Sequence, residues 1–314
     1  MKKIVVLIAL LCTISGVNAQ SRHLDQHSIY FGAGGNMFMG DLGGGSQDAA
    51  HFLGLRDVDL AAFRPSFCLG YGYKVYDNLA VRAGVTYSRV YGDDKETPRI
   101  TREARNLNFR SDIFSIGFNL DYYFVKEKEI PRYATAAFSK RIAAYFTVGF
   151  GFFHFNPQGE YQGQWYDLQP LCTEGQGTNI TYIQHRTGEP DVTFTTASAP
   201  YKLWAAEIPF GLGAKIAVNR KLSVSAELAF HATTTDYIDD CSTNTFNWEQ
   251  EGLTPPSEMT MIMSDKRVTA EGVDATPLPT GCRRGESGYN DAYVTFLITA
   301  HYKLINRYGK QRKH

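Results

Sequence analysis

"LSVSAELAFHA", residues 222–232, alternates without a break between apolar side chains and small or polar ones. One phase holds Leu222, Val224, Ala226, Leu228 and Phe230; the other holds Ser223, Ser225, Glu227, Ala229 and His231. Successive side chains of a strand point to opposite faces, so a period of two marks a β-strand whose two faces meet different surroundings. The pattern recurs along the chain. AYVTFLITAHYKL (292–304) sets Ala292, Val294, Phe296, Ile298 and Ala300 against Tyr293, Thr295, Thr299 and His301. KLWAAEIPFGLGAKIAV (202–218) sets Trp204, Ile208, Phe210 and Leu212 against Glu207, Gly211, Gly213 and Lys215. LAVRAGVTYSRVY (79–91) sets Leu79, Val81, Val85 and Tyr87 against Arg82, Gly84, Thr86 and Ser88. Segments around 29–40, 62–75, 110–124 and 141–155 behave alike, which makes eight strands.

Several of these runs exceed ten residues, longer than the usual strand of about five or six and enough to cross a bilayer when tilted. A soluble ligand-binding barrel alternates too, with its apolar phase inside. Here the apolar phase is rich in aromatics, and the other mixes glycine with isolated charges, as lipid outside and a crowded polar lumen require. The expected fold is therefore all-β: an eight-stranded antiparallel up-and-down transmembrane β-barrel with long outer loops.

The connections argue independently. Asp77–Asn78 and Asn219–Arg220 read as hairpin turns, and KEKEIPRYATAAFSK (126–140) is of intermediate length. The remaining connections, near 41–61, 92–108, 156–200 and 238–289, are long. Short and long alternate, as periplasmic turns and outer loops do in such barrels, and an even strand number puts both termini in the periplasm. HFNPQGEYQGQWYDLQPLCTEGQG (154–177) then begins the third outer loop.

The N-terminus fits export. Lys2 and Lys3 precede an apolar stretch from Ile4 to Ile14 and a small-residue site at Val17-Asn18-Ala19, the make-up of a cleaved signal peptide over 1–19. The expected organisation continues with a periplasmic segment (20–28), the barrel (29–305) and a basic periplasmic tail (306–314). A formal net charge of zero argues against nucleic acid as a partner, and outer-membrane lipid is the expected surrounding.

Candidate chemistry is sparse. Arg64, Arg82, Asp121, Glu207, Lys215 and Glu227 lie on inward phases and are expected to pair as a lumen plug, because unpaired buried charge is costly. Glu227 and His231 share a face with His301 beside them, half of a hydrolase constellation, but no nucleophile motif accompanies them. Asp236, Asp239 and Asp240 offer oxygen ligands for Ca²⁺, but solvated loop carboxylates are the preferred reading. No catalytic residue, cofactor or metal is assigned. Cys172, Cys241 and Cys282 fall in outer loops, where oxidation is permitted. A Cys241–Cys282 disulfide would close the fourth loop near its base and is preferred; Cys172–Cys241 is the alternative.

On this topology the periplasmic end gathers cations: Lys126, Lys128, Arg132, Lys140 and Arg141 from one connection, Arg220 from another, and Arg307, Lys310 and Arg312 from the tail. A basic collar of this kind steers an acidic partner, and the same composition serves plain solubility.

Three stretches resemble one family. FNPQGEYQGQWYDLQPLCTEGQG (155–177), IPFGLGAKIAVNRKLSVSAELAFHATTTDYIDD (208–240) and GAGGNMFMGDL (32–42) are similar to the PorG-like outer-membrane proteins of Bacteroidota. The chain departs from that pattern at Cys172, at Cys241 and in a longer fourth loop. The resemblance implies a small barrel of the type IX protein secretion machinery, associated with a periplasmic ring of a PorK-like lipoprotein and its PorN-like partner. It also turns the basic collar into a docking surface. The rival readings are a surface-binding, adhesin-like barrel using its outer loops and a lipid-modifying enzyme.

Overall fold

The computed structural model describes residues 26–42, 63–96, 105–127, 142–184, 192–269 and 277–304. The expected signal peptide and basic tail lie outside them. Eight long strands form the wall: β1 (His27–Met39), β2 (Arg64–Tyr76), β3 (Leu79–Asp93), β4 (Asn108–Val125), β5 (Ile142–His154), β10 (Trp204–Ala217), β11 (Leu222–Thr233) and β12 (Ala292–Lys303). Each pairs antiparallel with its sequence neighbour, and β1 pairs with β12, so the sheet closes as an up-and-down barrel without an edge. All eight coincide with the alternating segments within a few residues.

The alternation divides the wall as expected. On β4, Phe114, Ile116, Phe118, Leu120, Tyr122 and Phe124 are all exposed, up to 63% at Phe118, while Ile113, Ser115, Asp121 and Tyr123 are buried. From Phe114 to Phe124, steps of about 3.3 Å at a tilt of about 40° rise roughly 25 Å, the height of an apolar membrane band. Similar rows run down the neighbours, with Phe146, Val148, Phe150 and Phe152 on β5 and Ile208 and Leu212 on β10. A continuous apolar wall of this kind is covered by lipid.

The long loops carry structure that the alternation did not foretell. Residues 154–177 leave β5 and fold back as a hairpin, β6 (Pro157–Tyr161) and β7 (Gln164–Asp167), which pairs with the top of β4. A second hairpin, β8 (Thr181–Gln184) with β9 (Val192–Thr195), stands apart from the barrel sheet. The fourth loop holds a short helix, α1 (Glu258–Ser264). These pieces close over the barrel on two apolar clusters. One gathers Phe38, Leu42, Phe109, Phe153, Phe155, Ile238 and Tyr293; the other gathers Cys172, Phe246 and Trp248.

Candidate functional site

The lumen is filled by two polar networks. In the lower one, Arg82 on β3 reaches across to β11. Its Nη2 donates to Glu227 Oε2 at 2.6 Å and to Asp121 Oδ1 at 2.9 Å, with Thr147 Oγ1 at 3.2 Å. Tyr145 adds a hydrogen bond to Glu227 at 2.6 Å, and the rings of Tyr30 and Tyr145 flank the guanidinium. All these side chains are buried. Eight strands leave an interior that side chains can fill, and these fill it.

The upper network centres on Glu207, which accepts from Ser115, Tyr293 and His231. His231 lies between Glu207 at 3.1 Å and Thr295 Oγ1 at 3.1 Å, stacked on Tyr293. The expected Glu227–His231 relation is therefore corrected: Glu207, on the neighbouring strand β10, orients the histidine, while Glu227 serves Arg82. A carboxylate–histidine–hydroxyl order has the outline of a hydrolytic relay. Here the hydroxyl belongs to Thr295, which is only 2% exposed inside the wall.

Two of the six plug residues depart from expectation. Arg64 sits at the start of β2 with its guanidinium over the Tyr91 ring, 4.1 Å from the centroid, at the outer rim and outside both networks. Its place at a strand end lets the long side chain leave the inward phase. Lys215 is inside, but its partner is Glu127, at 3.5 Å. The sequence places Glu127 in the KEKE connection; the structure tucks its side chain into the mouth at the short-turn end of the barrel.

The outer cap is tied by residues whose role the sequence did not reveal. Glu174, in the TEGQG string, is buried and accepts from the backbone N–H of Ser242 at 2.9 Å and of Thr243 at 3.1 Å, and from the Thr243 hydroxyl at 2.7 Å. Arg284 lies 3.7 Å from Glu174 and 3.2 Å from Asp240, joining the third loop to both ends of the fourth. Tyr201 donates to Asp240 at 2.7 Å. Arg105, from the second loop, pairs with Asp94 at 2.7 Å and donates to the carbonyls of Asp41 and Arg284. The described parts of the four outer loops are thus joined by buried and half-buried polar contacts.

Burial raises the carboxyl groups of this cap. Glu174 is pushed up to about 7 and Asp236 to about 9, while Asp239 and Asp291 rise well above the usual carboxylate range. Neither Asp239 nor Asp240 is a solvated loop carboxylate. Asp239 accepts from the N–H groups of Leu42 and Cys241, and Asp240 closes on Thr173, Tyr201 and Arg284. Among the described residues, no group of three or more His, Cys, Asp or Glu side chains is arranged to hold a metal ion.

Cys172, Cys241 and Cys282 are free thiols, so the expected Cys241–Cys282 disulfide is not formed. The reason is register. Asn244 pairs antiparallel with Arg283, and Thr245 exchanges hydrogen bonds with Gly281 and Cys282, so Cys282 faces Thr245 and not Cys241. Cys241 is buried with its Sγ 3.4 Å from Arg284 Nε.

At the short-turn end of the barrel, Lys126 and Arg220 are described and both are exposed. Lys128, Arg132, Lys140, Arg141, Arg307, Lys310 and Arg312 lie outside the described residues. The turn at 218–221 is closed by Asn219, whose side chain accepts from the N–H groups of Lys221 and Leu222.

No protein-family model matches the chain. Nor does any curated protein sequence. Among solved structures, the chain is similar to Ail, the attachment invasion locus protein of Yersinia pestis, in complex with the heparin analogue sucrose octasulfate. Identity there is 9%, the TM-score is 0.35, and the match covers 88% of this chain and 96% of that one. Neisserial surface protein A matches at 9% identity with a TM-score of 0.34, covering 88% and 97%. The outer membrane protein OprG from Pseudomonas aeruginosa matches at 11% identity with a TM-score of 0.32, covering 88% and 96%.

Proposed function

We propose that the chain is a non-enzymatic outer-membrane barrel that anchors or positions a periplasmic assembly. The family resemblance makes that assembly the PorK-like and PorN-like ring of type IX secretion. The observation that carries the non-conducting part of this reading is the Arg82–Asp121–Glu227 network, which fills the barrel across its full width. A barrel plugged in this way passes neither cargo nor substrate, and its buried Thr295 has no route to one. What remains accessible below the membrane is the rim, where Lys126 and Arg220 are exposed. Cations there suit an acidic partner.

The test is site-specific photocrosslinking in the native membrane from positions 126 and 220. Capture of a periplasmic lipoprotein at either position is expected. Capture only from positions in the outer loops would overturn the anchor and favour a surface-binding barrel. One observation favours that second reading: the β8–β9 hairpin, separate from the barrel sheet, exposes Ile183, at 55%, and Val192.

A further inference from the structure

The lower mouth of the barrel holds a charge cluster that the plug does not require. Glu127 is the second residue after β4, and a register shift between Tyr123 and Val125 marks the end of that strand. From there its carboxylate reaches across the opening. Lys303, on β12, lies diametrically opposite β4 in the eight-strand ring and donates to Glu127 Oε1. Lys215 on β10 stands 3.5 Å from Oε2, and Ser223 on β11 donates to Oε1 at 3.3 Å. Three neighbouring strands thus supply two ammonium groups and a hydroxyl to one carboxylate, and Lys215 and Glu127 are both about nine-tenths buried at their side chains.

The two halves of this contact differ mechanically. Lys215, Ser223 and Lys303 sit on wall strands whose backbone hydrogen bonds fix them. Glu127 sits on a connection, so it can swing away without breaking any strand pairing. A recess of about 40 Å³ opens beside it, lined by Lys74, Lys215 and Lys303 together with Arg82 and the carboxylates Asp77 and Asp121. That is room for a few waters or for one incoming carboxyl group. The two lysines hold the Glu127 carboxyl down at about 2, so it stays charged across the ordinary pH range.

We propose that Lys215, Ser223 and Lys303 form a carboxylate-binding site in the periplasmic mouth, filled in the free protein by Glu127 and open to exchange with an acidic segment of a docking partner. This deepens the anchor reading and rests on it for the identity of the partner. An occupied site binds a competitor weakly, because apparent affinity falls with the fraction of sites that are vacant.

The test uses the full-length barrel folded in detergent micelles and a tetraglutamate amide labelled at its N-terminus with a neutral coumarin as probe, followed by fluorescence anisotropy. Glu127→Gln, which replaces the resident carboxylate with a neutral amide that the lysines hold more weakly, is expected to bind the probe about tenfold or more tightly than the parent chain. Adding Lys215→Met or Lys303→Met to Glu127→Gln is expected to abolish that gain. Asp77→Asn removes an equal charge from the same rim while leaving the site filled, and should gain less than about twofold, as exposed pairs contribute little. Folding of each variant is checked by its gel mobility before and after heating. A Glu127→Gln variant that binds no better than Asp77→Asn overturns the proposal, as does a gain that survives loss of both lysines. Neither outcome touches crosslinking from positions 126 and 220, so the anchor reading stands or falls separately.

Discussion

Arg82 and Glu227 are separated by 145 positions in the chain and by 2.6 Å in the barrel, Nη2 to Oε2, on strands that face each other across the lumen. The contact braces opposite walls, and its loss strands Asp121 and Glu227 as buried anions. Arg82→Met is expected to destabilise the barrel by about 3–5 kcal/mol, the usual cost of removing one partner of a buried pair. Urea unfolding in lipid vesicles, followed by gel mobility, measures this. Adding Asp121→Asn and Glu227→Gln should recover most of the loss. A single variant as stable as the parent would show that the pair does not brace the wall.

Gly175 carries a different constraint. Its φ is +76°, and a Cβ there would meet Cγ of Phe246 at 2.5 Å. Gly175→Ala therefore strains the backbone and collides with a buried ring of the cap. A cost of about 1–3 kcal/mol is expected, confined to the loops. Limited proteolysis should show faster cutting within 156–200 while the heat-dependent gel shift of the barrel is unchanged.

The cap should weaken as pH rises. Burial holds Glu174 at about 7 against an ordinary value of 4.5. The closed cap therefore keeps a proton that the opened loop gives up. The resulting stabilisation is complete below pH 4.5 and is lost as pH climbs through about 7. Asp236, raised by burial from 3.8 to about 9, extends the decline. Protease cutting of the third and fourth loops is expected to speed up about fivefold or more between pH 5 and 9, with Glu174→Gln flattening the part below 7. A rate that falls with pH would contradict the assignment.

Thiol chemistry separates the structure from the sequence expectation. Alkylation in denaturant should find Cys68, Cys172, Cys241 and Cys282 all reduced. Cys282→Ser should leave cap stability within about 0.5 kcal/mol of the parent, as a half-exposed thiol outside a disulfide would. A disulfide linking peptides that contain Cys241 and Cys282 would refute the register described above.

The sequence by itself determined the barrel. Alternation in LSVSAELAFHA and its seven companions settles which side chains face out, because a one-residue slip would turn Leu228 and Phe296 into the lumen and Glu227 into lipid. Closure follows, since a sheet edge in hydrocarbon would leave backbone groups unpaired. Arg82, Asp121, Glu207 and Glu227 were legible as plug residues for the same reason, and only their partners were not.

Those partners were decided by tertiary structure. Period two tells which face a residue takes; it says nothing about which strand stands opposite, and in a closed ring the opposite strand is half the barrel away. Glu227 finds Arg82 and Glu127 finds Lys303 only once the ring is shut, and His231 takes its carboxylate from Glu207 on the neighbouring strand. The loops have no period at all. Glu174 and Arg284 looked like ordinary polar loop residues, 110 positions apart, until Gly175, Phe246 and the four converging loops removed the water around them. Burial then turned a solvated pair into the tie that holds the cap.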